Sequence, residues 1–233
     1  MQPLIKRLLG ASCLLLATGL AEAAPIHYQF SGTEIGEYTG TGAPVSVNPI
    51  YASPSLINGD FYYDSAAPEV GVVPVAGYGG ALFTTYSGAF TDFDLSVNGQ
   101  SASADLGAGL VGDNVVPTGV GVPLDVLLGY SANDPSTGFS GFQVGDWNLS
   151  SFAFVFFNNS ATFNQDDLPA DVISNLNTNL LELFFTNDSG DVQKVRYNLS
   201  IAEAVDVPEP ASALLFGLGI AGLLIQRRKT QRR

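Results

Sequence analysis

Few side chains in this sequence can do chemistry, and their placement narrows the choice further. The 233 residues include one His and one Cys. A Ser–His or Cys–His couple would have to use His27, close to the N-terminus, where a general base is hard to hold in place. Neither a Gly-x-Ser-x-Gly elbow nor a Gly-rich phosphate loop occurs. Carboxylates are plentiful, and Asp92 with Asp94, Asp166 and Asp167 with Asp171, and Asp188 with Asp191 form the tightest groups. Oxygen ligands of this kind suit Ca²⁺, but no group has EF-hand spacing, so no ligand is assigned and no cofactor is expected. Two carboxylates suffice for glycoside hydrolysis, yet their separation in space decides and chain order does not give it. The expectation is therefore no catalytic residue, no metal site and no enzyme. Sugar binding without catalysis needs aromatic platforms; Tyr62, Tyr78, Tyr86 and Tyr130 are candidates, and Trp147 is the lone tryptophan. The commoner place for a Tyr is the rim of a core, with its hydroxyl in water.

The elements that would carry these residues follow from composition and charge. Hydrophobic residues make up 46% and charged ones 13%, which excludes wholesale disorder. Net charge is −13, which argues against nucleic acid as a partner, since phosphate contacts need a basic footprint. The charges are also segregated. Between Ala24 and Asp206 stand 20 acidic residues and only two basic ones, Lys194 and Arg196, while the other cations crowd the two ends.

At the N-terminus, Lys6 and Arg7 precede an apolar run from Leu8 to Leu20, and Ala21-Glu22-Ala23 puts small residues before Ala24. That order is a secretory signal of residues 1–23, a helix removed at Ala24 after passage through the Sec translocon. Cys13 lies inside the apolar run, so the mature chain holds no cysteine and must fold on its core alone.

At the C-terminus, Pro208-Glu209-Pro210 precedes an apolar run from Ala211 to Ile225, and then Arg227, Arg228, Lys229, Arg232 and Arg233. Fifteen helical residues reach about 22 Å, a short span of a hydrocarbon core about 30 Å thick. The basic cluster would stay on the cytoplasmic side and leave the acidic middle outside. This tail resembles the PEP-CTERM sorting signal of exported proteins in Gram-negative bacteria: a Pro-Glu-Pro motif, a short transmembrane stretch and an Arg-rich end. The resemblance implies recognition by exosortase, a membrane protease that processes the chain near the motif and releases it outward. It also implies association with extracellular polysaccharide and biofilm matrix.

Residues 24–206 are expected to form one all-β domain, an antiparallel β-sandwich of jelly-roll-like topology, between the signal helix and a single transmembrane helix within 207–233. Period-two alternation is the dominant pattern. Thr91, Phe93, Leu95 and Val97 alternate with Asp92, Asp94 and Ser96, and Asn98-Gly99 then supplies a type I′ turn. Val195, Tyr197, Leu199 and Ile201 line one face of a last strand, with Lys194, Arg196 and Asn198 on the other. That strand should form a hairpin with Leu180–Thr186. Trp147 to Phe157 is apolar on both faces, the mark of a covered central strand. Further strands are expected at 26–32, 56–63, 82–86, 124–130 and 139–144. Loops are expected at 40–54, 66–80 and 107–123, and one helix at 167–176 capped by Asp167. The segment Gly59-Asp60-Phe61-Tyr62-Tyr63-Asp64 resembles a strand found in cargo domains that bear this tail.

The function expected is that of an exported protein, held briefly in the inner membrane and then sorted to the surface or matrix, structural or adhesive in role. The alternative is a secreted carbohydrate-binding or glycan-hydrolysing module.

Overall fold

Alternating apolar residues give the described part of the chain strands and little else. The computed structural model describes residues 24–46, 49–104, 108–117, 121–131, 142–158, 167–172 and 178–204. All but Ala204 belong to the first of two units into which the chain divides, Met1–Glu203 and Ala204–Arg233. The strands are β1 (Ile26–Thr39), β2 (Leu56–Tyr63), β3 (Glu69–Pro74), β4 (Leu82–Ser87), β5 (Phe90–Val97) and β6 (Gln100–Ala104). They continue with β7 (Ala108–Val115), β8 (Leu124–Ser131), β9 (Gln143–Val144), β10 (Trp147–Asn158), β11 (Thr178–Asn187) and β12 (Val192–Glu203). All pair antiparallel in one sheet, in the order β3-β4-β7-β8-β10-β11-β12-β1-β2-β5-β6, with β9 on the start of β10.

The hydrogen-bonded path is thus continuous, in place of the two separate sheets of the expected jelly-roll-like sandwich. Its inner faces nevertheless meet. Five neighbour steps separate β10 from β5, roughly 24 Å in a flat sheet at about 4.8 Å per step. The rings of Phe152 on β10 and Phe93 on β5 stack 4.1 Å apart, so the sheet curls until its two arms touch. Between the arms lies an aromatic core of Phe30, Phe61, Phe90, Phe93, Phe152, Phe154 and Phe156. Close approach is paid for in side-chain volume: a Cβ on Gly109 would lie 2.7 Å from that of Ala89, and one on Gly129 would lie 3.1 Å from the Phe90 ring. These two glycines are register partners on β7 and β8 and together form the socket for Phe90.

A second, smaller cluster covers the opposite face of one arm. Phe83, Val115, Leu124, Val126 and Leu128 pack there with Val155, Phe157 and, from the β3–β4 connection, Val75, Tyr78 and Ala81. The two-sided apolarity of β10 has this cause. Phe152, Phe154 and Phe156 enter the aromatic core, and Val155 and Phe157 enter the second cluster.

Several expectations hold residue for residue. Asn98 and Gly99 both have positive φ, at 49° and 85°, as a type I′ turn requires. β12 buries Val195, Tyr197 and Leu199 and forms the expected hairpin with β11. Others need correction. β3 and β7 occupy stretches expected to be loops, because glycines there that look like turn signals sit within strands. Thr91 does not join the inward row of β5. Asp92 has φ of 47° at a break in the register with β2, and this bulge turns Phe90 inward instead. The described part of the expected 167–176 helix, Asp167–Val172, holds no helix; residues 173–176 lie outside the described residues. That segment caps the aromatic core: the Tyr63 hydroxyl donates to the Pro169 carbonyl at 2.6 Å, and the Tyr28 hydroxyl donates to Asp171 at 2.8 Å.

Candidate functional site

The residues singled out at the chain ends lie outside the described residues: the motif Pro208, Glu209 and Pro210, the basic tail of Arg227, Arg228, Lys229, Arg232 and Arg233, and Ala21 and Ala23. Ala24 alone is described; it is exposed and precedes β1. Among the described residues, no helix is long and apolar enough to cross a membrane.

Within the body, the acidic groups do not converge. Asp94 accepts from the Ser103 hydroxyl on the neighbouring strand, and Asp92 shapes its bulge. Asp171 serves Tyr28, and Asp191 accepts from the Asn187 side chain at 3.1 Å inside the β11–β12 hairpin. Asp166 lies outside the described residues. Among the described residues, no three His, Cys, Asp or Glu side chains are placed to hold a metal ion. His27 is half-buried on β1, its ring stacked on Tyr62 at 4.4 Å and its Nε2 3.3 Å from Asp60. The four tyrosines considered as a sugar platform are scattered. Tyr86 is buried, Tyr78 packs edge-on against Phe83 with burial pushing its hydroxyl up to about 12, Tyr62 pairs with His27, and Tyr130 is exposed.

Two carboxylates are spent on the backbone. Glu37 is buried and accepts the amides of Ile50 and Tyr51 at 2.6 and 2.8 Å; Glu34 accepts the amide and hydroxyl of Ser55, both at 2.8 Å. Ser55 shares a further hydrogen bond with the Tyr197 hydroxyl at 2.6 Å. Together they pin the long β1–β2 connection to the sheet. Burial outweighs the two amide donors and holds the Glu37 carboxyl above its ordinary range. The folded chain therefore takes up this proton at a higher pH than the unfolded chain does, and stability falls as pH rises through that interval. Glu37→Gln should cost about 1–3 kcal/mol by leaving one amide unpaired. The gap between wild type and variant, followed by thermal melts across pH, should be widest at acid pH and narrow toward neutrality. A gap that widens instead would mean the amide bonds outweigh burial.

The two cations of the body are likewise committed. Lys194 and Arg196 both reach Glu182 on β11, at 3.2 Å and, through Arg196 Nε, 2.8 Å, and the guanidinium lies 4.8 Å from the centre of the Tyr38 ring. No basic patch is left for an anionic ligand among the described residues.

Three indentations of the described surface bear on binding. A cleft of about 590 Å³ opens at one end of the curl, lined by Thr39, Thr41, Trp147, Asn187, Asp191 and Gln193 among others. Shallower depressions of about 410 and 240 Å³ cross β12-β1-β2 and β2-β5-β6 and are lined largely by Ser, Thr, Asn and Asp. Trp147 was legible as the lone tryptophan, but nothing in its neighbourhood in the sequence tied it to Thr39 or Asn187.

Comparison with family models matches the PEP-CTERM protein-sorting motif at residues 206–229. Such a motif implies an exported, exosortase-processed protein that is transiently anchored in the membrane before release. Comparison with curated proteins and with solved structures finds no significant match.

Proposed function

We propose, for a chain that ends in a PEP-CTERM protein-sorting motif, that the β body is passive cargo: a non-catalytic, structural or adhesive component of an extracellular polysaccharide matrix. The observation that carries this reading is the match at 206–229, which includes Pro208, Glu209 and Pro210. The N-terminal signal brings the chain to the Sec translocon, the apolar stretch 211–225 arrests it, and the basic tail keeps the end of the chain on the cytoplasmic side. Exosortase then acts near the motif. Support for a passive body comes from the spent carboxylates, with Glu34 and Glu37 tied to backbone amides and Glu182 to both cations. Its acidity keeps it soluble and repels anionic surfaces.

Mass spectrometry of the protein recovered from the medium tests the reading. New ends at Ala24 and near Pro208 are expected. Replacing Pro208, Glu209 and Pro210 together by Ala should leave an unprocessed chain in the inner-membrane fraction, with at least a tenfold fall in the released form, about 1.4 kcal/mol of discrimination at the processing step. Equal release of the triple variant would overturn it.

A further inference from the structure

Four neighbouring strands end together at one mouth of the curled sheet, and their inward rows change character there. On β1 the row passes from Glu37 to Thr39, on β12 from Val195 to Gln193, on β11 from Phe185 to Asn187, and on β10 from Leu149 to Trp147. The core thus runs out into a cleft of about 590 Å³ walled by one indole, amides, hydroxyls and one carboxylate. That volume lies within the range of small-ligand sites, which in β-barrels often open at the mouth.

We propose that this cleft binds a neutral glycan, with Trp147 as the stacking platform. Trp147 packs against the aromatic core while lining the cleft, so its ring is held from behind. The polar wall is also held in place before any ligand arrives. Asn187 Oδ1 accepts the amides of Ser189 and Asp191 at 3.0 and 2.9 Å, and its Nδ2 donates to Asp191 Oδ2, which fixes the carboxylate. A carboxylate already fixed in this way loses less freedom when it accepts from a ligand. Gln193 adds a second, independent sign: its Oε1 is buried and has no hydrogen-bond partner. A buried acceptor left open calls for a donor, and a sugar hydroxyl would supply one once the Gln193 amide turns toward the cleft that its residue lines. The single carboxylate gives no cage for a cation, and the acidic body disfavours an anionic chain. Apolar ring faces with hydroxyl edges, the surface of a neutral sugar, fit an indole beside such acceptors. The inference concerns the body alone and stands or falls separately from the processing of the tail.

Because the sequence has a single tryptophan, its fluorescence reports on this cleft directly. The full chain would be kept in a polyoxyethylene detergent, which carries no sugar headgroup, and titrated with cellohexaose and with maltohexaose. A saturable change with at least one of them is expected. Trp147→Ala should weaken binding at least about tenfold by calorimetry. Gln193→Met is the sharper variant: removing an unsatisfied buried acceptor should leave the melting temperature unchanged or higher, yet weaken binding at least about fivefold. The proposal is overturned by no saturable change with either hexasaccharide up to about 10 mM. It is equally overturned by a response to polygalacturonate or choline in their place, or by a Gln193→Met chain that binds as wild type does.

Discussion

Gly59→Ala should destabilise the body by about 3 kcal/mol or more, the upper end of what overpacking a core costs. Gly59 sits in the middle of β2 and pairs with Phe30 and Leu95. An added Cβ would lie 2.1 Å from the Asp94 carbonyl oxygen and 2.5 Å from the tip of the Phe30 ring. The first contact is backbone in the β2–β5 ladder and cannot swing aside; the second is a ring already stacked on Phe93. Relief requires parting β2 from β5 or expelling Phe30, and either opens the core. Gly77→Ala is the matched control, since a Cβ there meets nothing within 4 Å, and its effect should stay within about 0.5 kcal/mol. Denaturant titration of both variants checks the pair; equal midpoints would mean that β2 is not packed against Phe30 and the β5 backbone as described.

Phe154→Ala should cost about 3–5 kcal/mol, a large share of a domain's total of about 5–15 kcal/mol. Phe154 is wholly buried, and its ring meets those of Phe30, Phe61, Phe90, Phe93, Phe152 and Phe156. It touches rings on both arms of the curl, so the loss combines transferred area, cavity and six aromatic contacts. Phe157→Ala, on the opposite face and only half-buried in the smaller cluster, should cost less than half as much. Chemical unfolding of the two would separate them. A Phe157 variant as weak as the Phe154 variant would place the main core on the wrong face of β10.

What could be read in advance was whatever alternation or a turn residue announces. β2, β10, the β5–β6 turn and the β11–β12 hairpin were all visible because each strand has at least one apolar face or because Asn-Gly favours a type I′ turn. What escaped was what glycine does under pressure. In β7 the glycines look like punctuation, yet Gly109 makes room for Ala89 and Gly112 for Phe83. A socket is defined by the residue it receives, and that residue lies elsewhere in the chain. The same blindness applies to sites. The sorting motif is contiguous and was legible at once, whereas the cleft at Trp147 assembles from residues near 40, 147 and 190. The curl itself was hidden for a related reason: alternation tells a strand which face to bury, not which strand lies across from it.

The first strand of this sheet is interior, and its neighbour is the last: Tyr28 pairs with Glu203 and Thr39 with Gln193. Pairings so remote in sequence give high contact order and slow folding. A polypeptide threaded N-terminus first through a pore would carry β1 out early with one of its two neighbours still inside. The seam could then close only when residues up to 203 had emerged, just ahead of the sorting segment that starts at 206. Arrest at that point would hold the chain at the pore exit for the moment when its two ends first become available to each other.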